Sequence, residues 1–496
     1  MNDTLYTLAI GFIALIGVIV LLTVVGALVA GVVMYQLDKR QTAHTIRRNY
    51  PLLGRFRYLF EELGEFFRQY FFAMDREEMP FNRAQRSWVY RAAKNVDNTV
   101  AFGSTRDLRK PGTYYFLNCP FPTLSEDAAS TQPVRIGPYC RTPYDAASLL
   151  NISGMSFGAL SAPAVRALSK GAAKAGCWMN TGEGALSRYH LEGGCDIVFQ
   201  IGTAKYGVRD EQGQLDDERL REVAAHEQVR MFEIKLSQGA KPGKGGILPA
   251  DKVTPEIAEA RGIPVGQASI SPNRHPEISS IDDLLDFIAR VREVTGKPVG
   301  FKLVLGTTDW LDSFCEAVTQ RGSESAPDFI TLDSADGGTG AAPMPLMDSV
   351  GLPLRESLPL LVNKLTQHNL RNRIRVVASG KLINPTEVAA AICLGADFVV
   401  TARGFMFALG CIQALQCNKN TCPTGITTHD PKLQQGLVPE VKAERVANFH
   451  RNLVHEVELI AHSCGVTEPR QLRREHAAVV VDGGGAVPLN ILYPTN

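Results

Sequence analysis

Eight short apolar runs between residues 148 and 402 constrain the fold of this 496-residue chain more than any other feature. Most runs are rich in β-branched or aromatic residues and lack strict alternation, which is typical of strands buried on both faces. Helical patterns separate several of them. Eight β-α units predict an α/β fold of the (β/α)8 TIM-barrel type. The runs are 148–153, 177–181, 196–201, 231–236, 298–304, 328–333, 375–379 and 397–402.

The residues that follow the runs indicate where a site would lie, because barrel enzymes place their chemistry at the carboxyl ends of the strands. Seven of the eight runs end in glycines or a charged residue. The last two ends suit a phosphate group of a cofactor or substrate, since free backbone N–H groups collect there. The residues at these two ends are Gly380 and Lys381, and Ala402, Arg403 and Gly404.

Two further features concern the middle of the barrel. The connection between the fourth and fifth runs is too long for a plain crossover and predicts an active-site excursion. Lys302, at the end of the fifth run, has two interpretations: a positive charge that stabilises a reduced flavin, or an ion pair at the barrel mouth. The first is favoured, because an unpaired buried lysine is costly unless it has a function.

Three cysteines follow the eighth run with C-x5-C-x4-C spacing: Cys411, Cys417 and Cys422. Three thiolates can hold an iron–sulfur cluster with one unligated corner. A structural zinc would need a fourth ligand, for which His429 is a candidate. Three reduced, buried cysteines without a metal are the remaining interpretation. Spacing alone leaves all three open.

The amino-terminal region predicts a membrane anchor. Residues 4–37 carry no charge, which is enough length for one spanning helix of about 20 residues and too little for two. A cleaved signal peptide is the alternative, but no Lys or Arg precedes the run. Basic residues after the run place the remaining chain in the cytoplasm by the positive-inside rule, where cysteines stay reduced. These residues are Lys39, Arg40, Arg47, Arg48, Arg55 and Arg57.

Residues 38–75 are basic and aromatic and predict helix with an apolar stripe at i, i+3, i+4 spacing. The stripe has two interpretations: packing against the main domain, or an interfacial helix beside the membrane. Packing is favoured, because the glutamates of residues 61–65 would face anionic lipid. The stripe consists of Phe60, Leu63, Phe67 and Phe71.

The sequence predicts four parts, and its charge excludes one class of partner. Lys and Arg number 52 against 51 Asp and Glu, so the net charge of +1 argues against a nucleic-acid-binding protein. The predicted parts are a transmembrane anchor (1–37), a juxtamembrane helical and irregular lead-in (38–147), a barrel domain with a cysteine loop at its end (148–430) and a helical extension (431–496).

Six strings occur in the chain in this order: SGMSFGALS, NTGEG, QGAKPGKGG, SPNRHPEISSIDDL, DGGTGAAP and CNKNTCPTGITT. In these strings the region from Ser148 to His429 resembles the FMN-binding synthase domain of glutamate synthase. The resemblance implies an FMN-containing barrel with a [3Fe–4S] cluster held by the three spaced cysteines. It also implies the family reaction, in which hydride from FMN reduces 2-iminoglutarate formed from 2-oxoglutarate and ammonia.

The resemblance also assigns roles to individual residues. Glu183 matches the acidic catalytic residue beside the flavin and the imine, where a carboxyl group can exchange a proton with nitrogen. Lys235, Gln238 and Lys241 match the 2-oxoglutarate contacts, and the two lysines are counted with Glu183 as catalytic. The segments around FMN contain Met155, Ser156, Asn180, Lys302, Gly338, Gly380 and Arg403.

The chain departs from the family pattern in ways that bear on its partners. No amino-terminal nucleophilic cysteine and no nicotinamide-binding fingerprint are visible, so we expect free ammonia and an external electron donor, either ferredoxin or a membrane redox carrier. Membrane lipid is a further expected partner, and an oligomer is compatible with the sequence. Lys244 and Ile247 replace an acidic residue and a Gln that are usual in the substrate loop. The chain thus resembles a stand-alone, membrane-anchored member of the family.

Two alternative functions remain open at this point. The first is an FMN-dependent oxidoreductase for another amino or keto acid, coupled to a membrane redox carrier, which the anchor and Ile247 favour. The second is a non-enzymatic membrane scaffold that retains a decayed barrel. The presence of Glu183, Lys235, Lys241 and the three spaced cysteines argues against decay.

Overall fold

A computed structural model describes residues 2–495 and divides the chain into two compact units, residues 1–84 and residues 85–496. The larger unit contains eight parallel strands that close into a barrel, and each strand overlaps one of the eight predicted runs. The α/β barrel prediction is therefore confirmed. The strands are β1 (Leu150–Ile152), β2 (Met179–Asn180), β3 (Ile197–Ile201), β4 (Val229–Lys235), β5 (Val299–Val304), β6 (Phe329–Asp333), β7 (Arg375–Ser379) and β8 (Phe398–Thr401).

The barrel closes between its last and first strands, where Val399 of β8 is paired with Leu150 of β1. An antiparallel hairpin, Val134–Ile136 with Tyr144–Ala146, packs against the barrel core. The Tyr144 hydroxyl donates a hydrogen bond of 2.9 Å to Asp196, which directly precedes β3. The hairpin therefore covers the amino-terminal end of the barrel, and the carboxyl end is left for the connecting loops.

The helices around the barrel begin and end where the sequence provides caps. Ser161 accepts a hydrogen bond from the third residue of its helix, and Gly176 ends that helix in the left-handed conformation. Ser280 and Asn384 cap two other helices in the same way. The α-helices of the larger unit are Ala162–Ala175, Arg188–Leu191, Asp217–Ala225, Pro255–Arg261, Ile281–Thr295, Asp309–Arg321, Met344–Ser349, Leu354–Gln367, Pro385–Cys393, Arg403–Leu409, Pro431–Gln434, Pro439–Ser463 and Leu489–Leu492. Arg83–Ala93 lies across the division between the units, and short 3-10 turns span Ala250–Lys252, Ser323–Ser325, Pro469–Gln471 and Arg474–His476.

The connection between β4 and β5 contains the predicted excursion. It includes a two-stranded hairpin, Ile247–Leu248 with Ser269–Ile270, and the helix Pro255–Arg261 between its strands. The 3-10 turn Ala250–Lys252 belongs to the same connection. Because the connection leaves from the carboxyl end of β4, it covers that end of the barrel.

The carboxyl-terminal extension joins helix and strand. Its 25-residue helix, Pro439–Ser463, packs against Ala162–Ala175 so closely that a Cβ on Gly171 would lie 2.4 Å from the Val446 side chain. Beyond this helix the chain forms strands Ala477–Val480 and Ala486–Pro488, which the helical prediction for this region did not include. The run of small and β-branched residues at 477–481, followed by three glycines, accounts for this hairpin. Tyr114–Phe116 completes the sheet.

The smaller unit consists of helices. Asn2–Arg40 is one continuous helix, and Leu5–Arg40 within it is long and apolar enough to cross a membrane, with none of its most apolar window buried. It is the one helix of this kind among residues 2–495. Helices Thr45–Asn49 and Leu53–Phe67 follow, and a π-helical turn, Arg68–Phe72, continues the latter.

Candidate active site

Glu183 and Lys235 form an ion pair at the carboxyl end of the barrel, with the Glu183 Oε2 atom 3.0 Å from the Lys235 Nζ atom. Glu183 follows β2, and Lys235 is the last residue of β4. The loops leave little room around the carboxylate. A Cβ on Gly246 would lie 2.1 Å from the Glu183 Oε1 atom, and one on Gly202 would lie 2.6 Å from the Glu183 Cβ atom. The absence of side chains at Gly202 and Gly246 therefore leaves the room that the Glu183 side chain occupies.

The protonation states follow from burial and from the neighbouring charges. Burial raises the pKa of Glu183, but the charge and hydrogen bond of Lys235, with the charges of Lys241 and Arg261, outweigh it and keep this pKa below its usual value. Burial and the charge of Lys235 lower the pKa of Lys241 to about 8. At neutral pH the site therefore presents the Glu183 carboxylate beside the Lys241 ammonium, which loses its proton at a lower pH than an ordinary lysine.

The predicted substrate residues lie around this pair. Lys235 donates a hydrogen bond to the Gln238 side-chain oxygen, and the Lys241 backbone N–H closes a turn onto the Gln238 carbonyl at 3.2 Å. Lys241 is almost fully buried. By contrast, the two residues that depart from the family pattern, Lys244 and Ile247, are exposed. Lys244 nevertheless acts on the centre, because its charge is among those that lower the pKa of Lys241.

The first group of predicted FMN residues lies where the loops after β1 and β2 meet. The Met155 N–H donates to the Asn180 carbonyl at 3.4 Å, and the Asn180 side chain accepts from the Gly182 N–H at 2.9 Å. A Cβ on Gly182 would lie 2.6 Å from the Ser156 nitrogen, and Gly182 has φ 62°. Glycine is needed there for both reasons. Met155, Ser156 and Asn180 are thus brought together beside Glu183.

The second group lies across the mouth, after β6, β7 and β8. Arg403 donates a hydrogen bond to the Asp336 carbonyl, and burial lowers the pKa of its guanidinium to about 10. A Cβ on Gly338 would lie 2.8 Å from the Arg403 Nε atom. Gly380 has φ 137°, and a Cβ there would lie 2.0 Å from the Ser334 hydroxyl. Glycines and a cation beside strand ends fit a phosphate group, as the sequence predicts.

Lys302 forms an ion pair at the barrel mouth, with Asp333. The sequence alone favours a charge beside a flavin over such an ion pair. Its Nζ atom lies 3.3 Å from the Asp333 Oδ2 atom, and both side chains are buried. Burial lowers the pKa of Lys302, but the charges of Asp333, Glu233 and Glu183 outweigh this and raise it above its usual value. Lys302 is therefore a permanent cation that projects into the barrel mouth from β5. An ion pair with Asp333 is compatible with a role beside a flavin.

Sequence reasoning missed Glu233, a buried carboxylate inside the barrel. It accepts hydrogen bonds from Asn180 at 2.8 Å, Gln200 at 2.6 Å and Thr331 at 2.6 Å. Glu233 thereby fixes the side chain of one predicted FMN residue. The signal was present, because Glu233 and Lys235 are two residues apart on one strand and so share a face.

The three spaced cysteines lie in one loop region, and none forms a disulfide. The Cys422 Sγ atom lies 3.4 Å from the Thr424 hydroxyl oxygen. Burial raises the pKa of Cys411 to about 12, whereas hydrogen bonds from Thr424 and Thr427 outweigh burial and lower that of Cys422. A Cβ on Gly340 would lie 3.8 Å from the Cys417 Cβ atom, so this loop adjoins the loop of Gly338.

The structure shows no arranged metal site at these three cysteines, all of which lie within the described residues. Among residues 2–495 no group of three or more His, Cys, Asp and Glu side chains is arranged to hold a metal ion. His429, the candidate fourth ligand, instead places its Nε2 atom 2.7 Å from the Gly158 carbonyl oxygen. In donor chemistry, three free thiols in one loop suit an iron–sulfur cluster better than zinc.

A second residue that the sequence analysis missed is Lys252, which joins three loops at the barrel mouth. Its ammonium donates hydrogen bonds to the carbonyls of Ala159 at 3.1 Å, Cys417 at 3.2 Å and Thr427 at 2.8 Å. Lys252 is almost fully buried, with 2% of its surface accessible to water. Its partners are backbone atoms, so no side-chain pattern in the sequence identifies them.

The fold and the site define a class of protein: a (β/α)8-barrel with a carboxylate–lysine centre, a cationic mouth and a neighbouring cysteine loop. The family model described as the conserved region in glutamate synthase matches residues 124–467. This chain belongs to the glutamate synthase family and is an oxidoreductase.

Relatives from other organisms support that membership. A glutamate synthase large subunit-like protein of Bacillus subtilis, YerD, is 40% identical, with 92% of this chain and 94% of that protein covered. An archaeal glutamate synthase [NADPH] of Methanocaldococcus jannaschii is 36% identical over 65% of this chain and 60% of its own length. The chain thus spans three-fifths of that relative. A flavocytochrome b2 mutant with pyruvate bound matches at 15% identity and a TM-score of 0.48, covering 82% of this chain and 86% of that chain.

Proposed function

We propose that the protein is a stand-alone, membrane-anchored glutamate synthase that converts 2-oxoglutarate and ammonia to glutamate by reducing 2-iminoglutarate. The observation that carries the proposal is the Glu183–Lys235 ion pair, 3.0 Å across, with Lys241 beside it. This centre sits at the end of the barrel where the predicted FMN residues gather. Membership of the family and the geometry of the centre support the same chemistry.

The charges of the site suit a dicarboxylate. Lys235 and Lys241 supply two ammonium groups for the two carboxylates of 2-oxoglutarate, and charge-assisted hydrogen bonds of this kind are the strong ones. Gln238 bonds to Lys235 and thereby orients it. Arg261 contributes a further positive charge near Glu183. We infer that these residues hold the substrate with its imine carbon facing the flavin.

Glu183 then exchanges a proton with the imine nitrogen. Its carboxylate is ionised before substrate binds, so it attracts the protonated imine. It can also accept the proton that the nitrogen releases after ammonia has attacked the keto carbon, while the keto oxygen leaves as water. The ion pair with Lys235 holds the carboxylate at the barrel mouth, and the missing side chains of Gly202 and Gly246 leave room for it there.

The resident cofactors are part of the proposal. FMN supplies the hydride when bound, and the residues that would hold it are Met155, Ser156, Asn180, Lys302, Gly338, Gly380 and Arg403. Cys411, Cys417 and Cys422 would hold a [3Fe–4S] cluster that carries electrons to it, which their free thiols and shared loop support. The electron donor is then external, ferredoxin or a membrane redox carrier. The apolar helix Leu5–Arg40 supports a single-pass anchor, and the basic residues after it support a cytoplasmic catalytic domain.

The rival function is oxidation or reduction of a different amino or keto acid, which the anchor and Ile247 favour. Ile247 is exposed in a hairpin, where it is paired with Ile270, and it directly follows Gly246, whose Cβ would lie 2.1 Å from the Glu183 Oε1 atom. A substrate screen still separates the two. Flavin reoxidation by 2-oxoglutarate only when ammonium is present supports glutamate synthesis, whereas reoxidation by another acid alone supports the rival.

Replacement of Glu183 by Gln tests the catalytic assignment. The change keeps the shape of the side chain and removes its charge, so FMN should stay bound while glutamate formation falls at least about 100-fold, the low end for an acid–base group. Glu440→Gln, at an exposed ion pair on the outer helix, is the matched control and should keep full activity. A yellow Glu183→Gln protein that forms glutamate at the wild-type rate would refute the assignment.

A further inference from the structure

The helix Leu53–Phe67 in the smaller unit presents one face made entirely of large apolar side chains. At 100° per residue these side chains occupy an arc of about 140°. All of them are exposed, with Phe60 64% accessible. We call this surface the aromatic face; it consists of Leu53, Phe56, Leu59, Phe60, Leu63, Phe66 and Phe67.

The opposite side of the same helix is charged. Arg57, Glu61, Glu62 and Glu65 all fall outside the aromatic arc. The glutamates therefore point away from whatever covers the aromatic face. This geometry removes the objection that acidic residues in this helix would meet anionic lipid.

A buried carboxylate fixes this helix to the end of the apolar span. Asp38 is fully buried and accepts hydrogen bonds from the Arg55 side chain at 2.8 and 2.9 Å, from Arg47 at 3.1 and 3.3 Å, and from the Leu52 N–H at 3.1 Å. Two guanidinium groups and one backbone donor thus hold a single carboxylate. A buried carboxylate is stable only when charged and hydrogen-bonding partners surround it. These contacts therefore hold residues 38–55 in a defined elbow.

Packing within the elbow sets the direction of the aromatic face. A Cβ on Gly54 would lie 2.7 Å from the Ile46 carbonyl and 2.9 Å from the Arg47 Cα atom, so helix Thr45–Asn49 covers the Gly54 side of the helix. On the helical wheel Gly54 is about 170° from the centre of the aromatic arc. The aromatic face is therefore turned away from the elbow and left free.

The location of this face indicates its occupant. A continuous apolar surface of seven side chains, four of them phenylalanines, is unfavourable in water and marks a contact with something apolar. The elbow places it beside the end of Leu5–Arg40, whose own exposed apolar side chains need the same environment. Its polar side bears three glutamates and few cations, so apolar insertion rather than attraction to anionic headgroups would hold it.

We propose that residues 53–67 lie in the plane of the membrane interface, with the aromatic face among the lipid acyl chains and Glu61, Glu62 and Glu65 toward water. The inference rests on the proposed membrane anchor. It gives Asp38 a positioning role, because the elbow holds the interfacial helix at the depth where the span ends. A helix of 15 residues would cover about 22 Å of membrane surface.

Tryptophan quenching in full-length protein tests this proposal. Phe60→Trp adds a reporter to the aromatic face, and Glu62→Trp adds the same reporter to the polar side as its matched control. The three native tryptophans form a constant background in both variants. Each variant is reconstituted in phosphatidylcholine–phosphatidylglycerol vesicles with ordinary or acyl-chain-brominated lipid, and iodide quenching is measured from the aqueous side.

We expect brominated lipid to quench the added fluorescence of Phe60→Trp at least twofold, while iodide preferentially quenches Glu62→Trp. Equal quenching of the two variants by brominated lipid would overturn the proposal. So would a Phe60→Trp reporter shielded from both quenchers, which would place the face against protein. Extraction of the vesicles with alkaline carbonate tests the anchor separately. Protein released by the extraction refutes the anchor and with it the interfacial helix. Protein that is retained, but whose Phe60→Trp reporter brominated lipid does not quench, refutes the interfacial helix alone.

Discussion

Gly246 offers a test of the catalytic centre that separates activity from stability. Its missing Cβ would lie 2.1 Å from the Glu183 Oε1 atom, against about 3.4 Å for ordinary contact, so Gly246→Ala must displace the carboxylate by about 1.3 Å. The displaced atom is the end of a flexible side chain rather than backbone. The backbone at Gly246 is not in the left-handed region. The protein should therefore fold, with its melting temperature within a few degrees of wild type.

The expected loss of activity follows from the displacement. A misplacement of about 1 Å at a reacting group costs on the order of 100-fold in rate. This corresponds to about 2.7 kcal/mol at 1.36 kcal/mol per tenfold change. The ion pair between Glu183 and Lys235 is also expected to lengthen, which weakens the hold on the substrate.

The assay is glutamate formation from 2-oxoglutarate and ammonium with a chemically reduced one-electron mediator, alongside thermal unfolding of the same preparations. Gly436→Ala is the control, since a Cβ there meets nothing within 4 Å and the backbone is not left-handed. If Gly246→Ala retained activity within threefold of wild type, Glu183 would not be the positioned group that the mechanism requires. If Gly436→Ala lost activity equally, the loss would be nonspecific.

Three further predictions concern the dicarboxylate site, the cysteine loop and the helix contact. Because the pKa of Lys241 is about 8 in the free protein, its ammonium is lost as pH rises through 8, so kcat/KM for 2-oxoglutarate should fall there; Lys241→Arg should flatten the fall, and an unchanged profile would contradict the role. Cys417→Ala should remove the iron signal in electron paramagnetic resonance, while Cys315→Ala, in a barrel helix, should keep it; an unchanged Cys417→Ala spectrum would reject this ligand. Gly171→Ala should lower stability by about 1–3 kcal/mol, because the new Cβ overlaps Val446; urea unfolding with an unshifted midpoint would show that the helices separate freely.

The strands of the barrel were predictable because burial on both faces leaves a strong compositional mark. Continuous apolar runs identify all eight strands, although β2 shrinks to Met179–Asn180 within its run. The helix caps at Ser161 and Ser280 were equally local signals. The hairpin of the carboxyl-terminal extension was missed although its β-branched run and glycines are local. Only the pairing of Ala477–Val480 with Tyr114–Phe116, more than 350 residues earlier in the chain, leaves no local pattern.

The site was predictable to a different degree. Resemblance alone identified Glu183 and Lys235, and the structure brings them to 3.0 Å. The partner of Lys302 could have been inferred, because β5 and β6 are neighbours and Asp333 ends β6. Lys252 could not, since it binds carbonyl groups contributed by distant loops. Chemistry carried by side chains is visible in a sequence, whereas chemistry carried by backbone atoms becomes visible only in the fold.

The account depends most on a flavin at the barrel mouth that reduces an imine beside Glu183. The most direct measurement is a single turnover of the detergent-purified full-length protein, chemically reduced and mixed with 2-oxoglutarate and ¹⁵N-ammonium. We expect a yellow protein whose flavin reoxidises with formation of an equal amount of ¹⁵N-glutamate, and Glu183→Gln to leave the flavin reduced. A colourless preparation, or flavin that stays reduced in the wild-type protein with both substrates present, would contradict the account.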